Sequence, residues 1–158
     1  MGQDDSSAAT AARRRARAVL TQALYQWQVS GEDPSAIRVQ FIDERGIGRA
    51  DVDYFRELMQ AIPTAVDRLD ASIEPLLQRS VALVDPVERA ILRLACYELE
   101  QRWEVPARVI IDEAIELAKR YGAQQGHRFV NGVVDRLARR LRPREFGRGA
   151  ADSSGCAR

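Results

Sequence analysis

A chain of 158 residues with 46% hydrophobic and 30% charged content has room for one domain or two small subdomains sharing a core. No apolar run approaches the roughly 18 to 20 residues of a membrane helix, and the opening "MGQDDSSAAT" lacks the apolar segment of a signal peptide, which leaves the cytoplasm as the default compartment. Cys96, Cys156 and the single histidine His127 are too few for a disulfide framework or a zinc site, so no metal or cofactor is expected, and the near-balance of charge (+1 overall) conceals a marked segregation described below.

Residues 1 to 11 read as a disordered tail. Helix one is expected from about Ala12 to Ser30, because Ala16, Val19, Leu20, Ala23, Leu24 and Trp27 recur at the spacing of one helical face. "SGEDP" breaks it. A second helix spans about Pro34 to Glu44, and "RGIGR" is a loop. Asp51 or Asp53 can cap a third helix carrying Phe55, Leu58, Met59, Ile62, Val66 and Leu69, with a kink or break at Pro63. A short fourth helix follows over about Ala71 to Gln78. "DPVERAILRLACYELEQ" opens helix five with Asp85 as N-cap, Pro86 at the first helical position and Glu88 closing a capping box. It is apolar over most of its circumference, the mark of a central helix. Helix six runs from Pro106 to about Tyr121, with acids early, Lys119 and Arg120 late, a Glu116–Arg120 pair, and Gly122 as its stop. Helix seven starts near Gly126 or His127 and is stopped by Pro143. Residues 147 to 158 read as a second tail. No period-2 pattern supports a strand. The expected class is all-α, with an N-terminal helix group over about 12–79 and a C-terminal group over about 80–146.

Charge is distributed unevenly along this scheme. Residues 13 to 17 hold four arginines and no acid, and residues 136 to 148 hold six arginines against Glu145; between them, 13 basic residues face 19 acids. If the two ends meet, they form a basic patch on an acidic body, which suits a polyanion. On helix one at 100° per residue, Arg14, Thr21 and Tyr25 line up opposite the apolar stripe, with Arg15 and Arg17 on the flanks. Arginines beside an exposed aromatic are the means by which single-stranded RNA is held: guanidinium meets phosphate and bases stack on rings. A merely solvated basic face, with Tyr25 under a loop, fits the pattern equally well. Arg139 and Arg142 fall on the polar face of helix seven, either meeting nucleic acid or complementing the helix C-terminus. Glu98 lies oddly on the apolar side of helix five and calls for a buried partner. Gly132 inside helix seven suggests a close backbone approach, and His127, Arg128 and Asn131 place polar groups near a helix start that attracts phosphate. No P-loop, dinucleotide fingerprint, metal-ligand cluster or catalytic triad spacing occurs.

Taken in order, "ARRRAR" with "ALYQWQ", "YFRELM", "VERAILRLACYEL", "VPARVIIDEAIELAKRYG" and "HRFVNGVVD" resemble the NusB family of bacterial transcription antitermination factors over about residues 12 to 144. The resemblance implies a non-catalytic, all-helical fold of two small bundle subdomains. It implies binding to the boxA element of nascent RNA, pairing with the small-subunit ribosomal protein NusE, and entry into the RNA polymerase antitermination complex; a homodimer in the free state is left open. Carried residue by residue, it puts Arg13, Arg14, Arg15, Arg17 and Tyr25, with Gln125, His127 and Arg128, at RNA. It puts Glu88, Phe129 and Asn131 at the partner surface. Where similar chains often carry an acid before the histidine, this one reads "GAQQGHRF", which removes a negative charge beside RNA. Two other readings compete: a structural helical adaptor with solvated arginines, and an RNA-delivery module like that preceding some RNA cytosine methyltransferases.

Overall fold

The structure is a computed structural model that describes residues 2–147. The expected C-terminal tail, apart from Gly147, lies outside the described residues. Seven α-helices and no strand are present among the described residues: α1 (Gly2–Ser30), α2 (Pro34–Val39), α3 (Val52–Thr64), α4 (Val66–Ile73), α5 (Pro86–Gln101), α6 (Ala107–Tyr121) and α7 (Gly126–Leu141). The described residues form two compact units, divided between Val66 and Asp67.

In the first unit α1 packs on α2 and α3. α1 begins at Gly2, not at Ala12. The segment ahead of Ala12 is alanine-rich and contains no proline, so nothing in it interrupts helical propagation. Its end is marked by Gly31, at φ 72°, whose N–H bonds back to Trp27 O at 3.0 Å. α2 passes into a π-helical turn over Gln40–Glu44, closed by Arg45 N–H to Gln40 O at 3.0 Å, which places Phe41 inward against Phe55 with ring centroids 6.1 Å apart. Asp51 caps α3 through Tyr54 N–H at 3.0 Å, and its own N–H bonds to Ala12 O at 2.9 Å, tying the start of α3 to α1. The core is Leu20, Leu24, Ile37, Phe55, Leu58, Met59 and Ile62, all fully buried.

Pro63 stands one residue before the end of α3, and the chain leaves helical geometry at Ala65. The expected fourth helix is therefore displaced: α4 covers Val66–Ile73, and only a 3₁₀ turn over Glu74–Leu76 lies in the range expected to be helical around Pro75.

In the second unit α5, α6 and α7 pack against one another. Asp85 accepts from Val87 N–H at 3.0 Å and Glu88 N–H at 3.3 Å. The reciprocal bond of a capping box is not made, because Glu88 turns towards α7. Every residue of α5 from Ala90 to Leu99 is buried, as its all-round apolar pattern predicts. Within that helix Arg93 is forked onto Asp70 of α4, with Nε–Oδ1 2.9 Å and NH2–Oδ2 2.8 Å. On α6 Glu116 pairs with Lys119 at 3.6 Å, not with Arg120, whose guanidinium lies 4.9 Å from the Tyr121 ring.

Two residues that follow α7 close this unit. The Arg142 side chain is wholly buried, against the expectation of a polar-face position. It donates to the carbonyls of Leu99 (2.9 Å), Glu98 (2.9 Å), Arg102 (2.9 Å) and Val105, and to Glu145 Oε2 at 3.2 Å. These carbonyls lie at the end of α5 and in the turn beyond it, and those of Glu98 and Arg102 also accept from the backbone N–H groups of Arg102 (2.9 Å) and Val105 (3.0 Å). Glu145 in turn accepts from Ala107 N–H at 2.9 Å, capping an α6 start that Pro106 cannot cap.

Candidate nucleic-acid interface

The arginine cluster of α1 divides according to the packed arc of the helix. Ala16, Arg17, Leu20, Thr21, Ala23 and Leu24 are buried, so the core-facing arc is wider than the apolar residues alone indicate. Thr21 satisfies its hydroxyl by bonding to Arg17 O at 2.9 Å, and this lets a polar residue sit where an exposed one was expected. Arg17, 4% exposed, turns inward with its guanidinium 5.9 Å from the Tyr54 ring. Arg13 is half-buried, 4.3 Å over the same ring and 3.9 Å from Asp51 Oδ2. Tyr54, buried on α3, thus supports two arginines from beneath, an arrangement that no local pattern in α1 could reveal.

Arg14, Arg15 and Tyr25 remain exposed, Tyr25 to 41%. Arg14 and Tyr25 are eleven positions apart, so they differ by only about 20° around the axis and by about 16 Å along it. They share one solvent-facing arc.

The start of α7 gathers the second group. Gln125 is its N-cap position, exposed, with φ 71°, the only non-glycine with positive φ among the described residues. Arg128 and Asn131 are exposed, His127 and Phe129 half-buried, and the Arg79 guanidinium lies 5.4 Å from the Phe129 ring. Glu88, 6% exposed, stands against this helix start. A Cβ on Gly126 would fall 1.9 Å from Glu88 Oε1. Burial, then the nearby Asp85, push the Glu88 carboxyl above its usual range, while Arg79 pulls the other way. The close approach expected at Gly132 is not there: that glycine is exposed with open space around its missing Cβ. Gly126 is the glycine that its surroundings require. The position gave no signal in the sequence, because the atom that fills it belongs to a different helix.

Each unit carries chemistry suited to an anion: α1 offers exposed guanidinium groups and an open aromatic, and α7, in the other unit, offers a helix N-terminus flanked by exposed polar side chains. Among the described residues no group of three or more His, Cys, Asp or Glu could hold a metal ion, and no helix is long and apolar enough to cross a membrane.

Residues 14–139 match the model of the NusB family. The chain is 49% identical over 133 residues to the transcription antitermination protein NusB of Idiomarina loihiensis, covering 84% of this chain and 96% of that one. To the protein of the same name from Shewanella amazonensis it is 49% identical over 128 residues, covering 81% and 96%. Among solved structures, T. maritima NusB superposes with a TM-score of 0.75 at 36% identity, over 85% of this chain and 96% of that one.

Proposed function

The chain belongs to the NusB family of transcription antitermination proteins, and from that premise we propose that it binds boxA RNA together with NusE and enters the RNA polymerase antitermination complex. The observation that carries this reading is the shared exposed arc of Arg14 and Tyr25 on α1. A tyrosine kept in water beside guanidinium groups offers a stacking platform next to phosphate donors.

In this reading Arg14 and Arg15 meet phosphates and Tyr25 stacks a base. Gln125, His127 and Arg128 contact RNA from the start of α7. Arg13 and Arg17, held over Tyr54, contribute field and fix the pitch of the exposed pair. Phe129 and Asn131 face NusE, and Glu88, being buried, shapes that surface from below by its place against Gly126. A solvated basic face, the adaptor reading, gives Tyr25 no reason to be open.

The test is an anisotropy titration of boxA RNA and a scrambled RNA, each with and without NusE, at matched salt. BoxA should bind more tightly, and NusE should increase the difference. Tyr25→Ala should weaken boxA binding by about 1 to 3 kcal/mol without altering thermal stability. Equal affinity for the scrambled RNA would sink the reading.

A further inference from the structure

At the end of α7 opposite the Gln125 start, a second basic and aromatic surface is assembled. Trp103, in the turn after α5, is 62% exposed, and the carbon at the centre of the Arg142 guanidinium lies 4.7 Å from its ring centroid. Arg142 is buried and fully bonded, so the indole is clamped on one face by a fixed cation while the remainder stands in water. In the short turn after α7, the Phe146 ring has two guanidinium groups near it, Arg108 at 5.5 Å and Arg139 at 4.7 Å. Glu145 joins the two halves through its bonds to Arg142 and to Ala107 N–H.

The acids here are already committed. Glu104 pairs with Arg102 at 3.0 Å, Asp135 with Arg139 at 3.0 Å, and Glu145 is engaged as above. Arg108 and the exposed Arg144 are matched by no ion pair among the described residues, so the surface keeps a net positive charge. Arg139 is eleven residues, about 16 Å, along α7 from Arg128, too far for one short contact to serve both.

We infer that the turn after α5 and the C-terminal end of α7 form a second single-stranded RNA surface, on which a base stacks on the open face of Trp103 and phosphates meet Arg108 and Arg139. This rests on the reading that the chain is an RNA-binding protein, and extends the RNA it holds to the single-stranded flank of the element. Charge complementarity selects a polyanion, and the pre-positioned indole selects one with planar bases over an acidic protein.

The chain has two tryptophans, Trp27 and Trp103, so stacking is read directly by fluorescence. Minimal boxA RNA, the same RNA with single-stranded uridine flanks, and oligouridylate alone are titrated into the intact protein. The flanks should tighten binding about tenfold and quench emission, the quench being absent in Trp103→Phe. Trp103→Ala and Arg108→Gln, both exposed positions, should each erase most of that gain while leaving minimal boxA affinity unchanged. A flank that adds nothing, or a gain that survives both variants, overturns the inference. Failure of minimal boxA to bind tells against the parent reading instead, and quenching of Trp103 by oligouridylate still decides this surface. Equal quenching by a polyglutamate peptide would overturn it.

Discussion

Arg142→Met removes the guanidinium but keeps a stem of similar length. Its consequence follows from what the guanidinium holds: four backbone carbonyls, those of Glu98, Leu99, Arg102 and Val105, together with Glu145. Charge-assisted bonds of this kind are worth about 1.5 to 3 kcal/mol each, but they share one donor group and do not add. Replacing a buried ion pair by an apolar side chain can be neutral when both partners go; here the carbonyls stay behind, those of Leu99 and Val105 without this donor and those of Glu98 and Arg102 with only a backbone N–H. A loss of about 3 to 5 kcal/mol is expected, and with it a fall in Tm on the order of 10 °C. Urea unfolding followed by far-UV circular dichroism measures it. Arg144→Met, at an exposed neighbour, should change stability by less than about 0.5 kcal/mol. Arg142→Lys should fall between, since one ammonium cannot span the same acceptors. If Arg142→Met unfolds within about 1 kcal/mol of the parent, the cost of burying the guanidinium cancels its bonds and the reasoning fails.

Three further outcomes follow from the buried groups. The folded Glu88 carboxyl binds its proton more tightly than the unfolded one, so its contribution to stability is present at low pH and is lost as pH rises from the ordinary value of 4.5 through the raised one. Glu88→Gln should therefore be more stable than the parent at pH 7, with the difference closing towards pH 4 in parallel denaturation curves; an unchanged difference across that range would refute the assignment. Gly126→Ala should displace the Glu88 carboxylate, so that a double-mutant cycle with Glu88→Ala gives a coupling of about 0.5 to 3 kcal/mol, whereas strict additivity would mean the two do not touch. The Cys96 thiol, pushed up to about 12 by burial and then by Glu100, should resist alkylation at pH 8 in a Cys156→Ser background until the protein unfolds, as mass spectrometry would show. Rapid labelling of the folded chain would contradict the burial.

The helices were legible because their signals are local. Asp85-Pro86 fixes the start of α5, Gly122 the end of α6 and Pro143 the end of α7, and the apolar periods of α5 to α7 pick out most of the buried residues, with Tyr121, Phe129 and Leu141 only half-buried. What was not legible depends on partners distant in sequence. Thr21 and Arg17 look polar and outward until α3 supplies Tyr54 and the packed arc widens. Arg142 looks like a surface cation because its acceptors lie up to 44 residues earlier. Gly132 stands out in the sequence by its cost to its own helix, while the demanding glycine, Gly126, is defined by a carboxylate from α5. Of the interface residues, the exposure of Arg14 and Tyr25 followed from helical phase, and the inward turn of Arg17 did not.

The closing role of Arg142 and Glu145 has a temporal side. Until residues 142 and 145 have been synthesised, the Leu99 carbonyl lacks its guanidinium donor and the Ala107 N–H lacks its carboxylate cap. The second unit therefore makes its full set of bonds only when this stretch is in place. A stretch after α7 thus supplies bonds to the end of α5 and the start of α6 together. A chain truncated before residue 142 should therefore be cut by protease faster than one carried through residue 147, as limited proteolysis of the two would show.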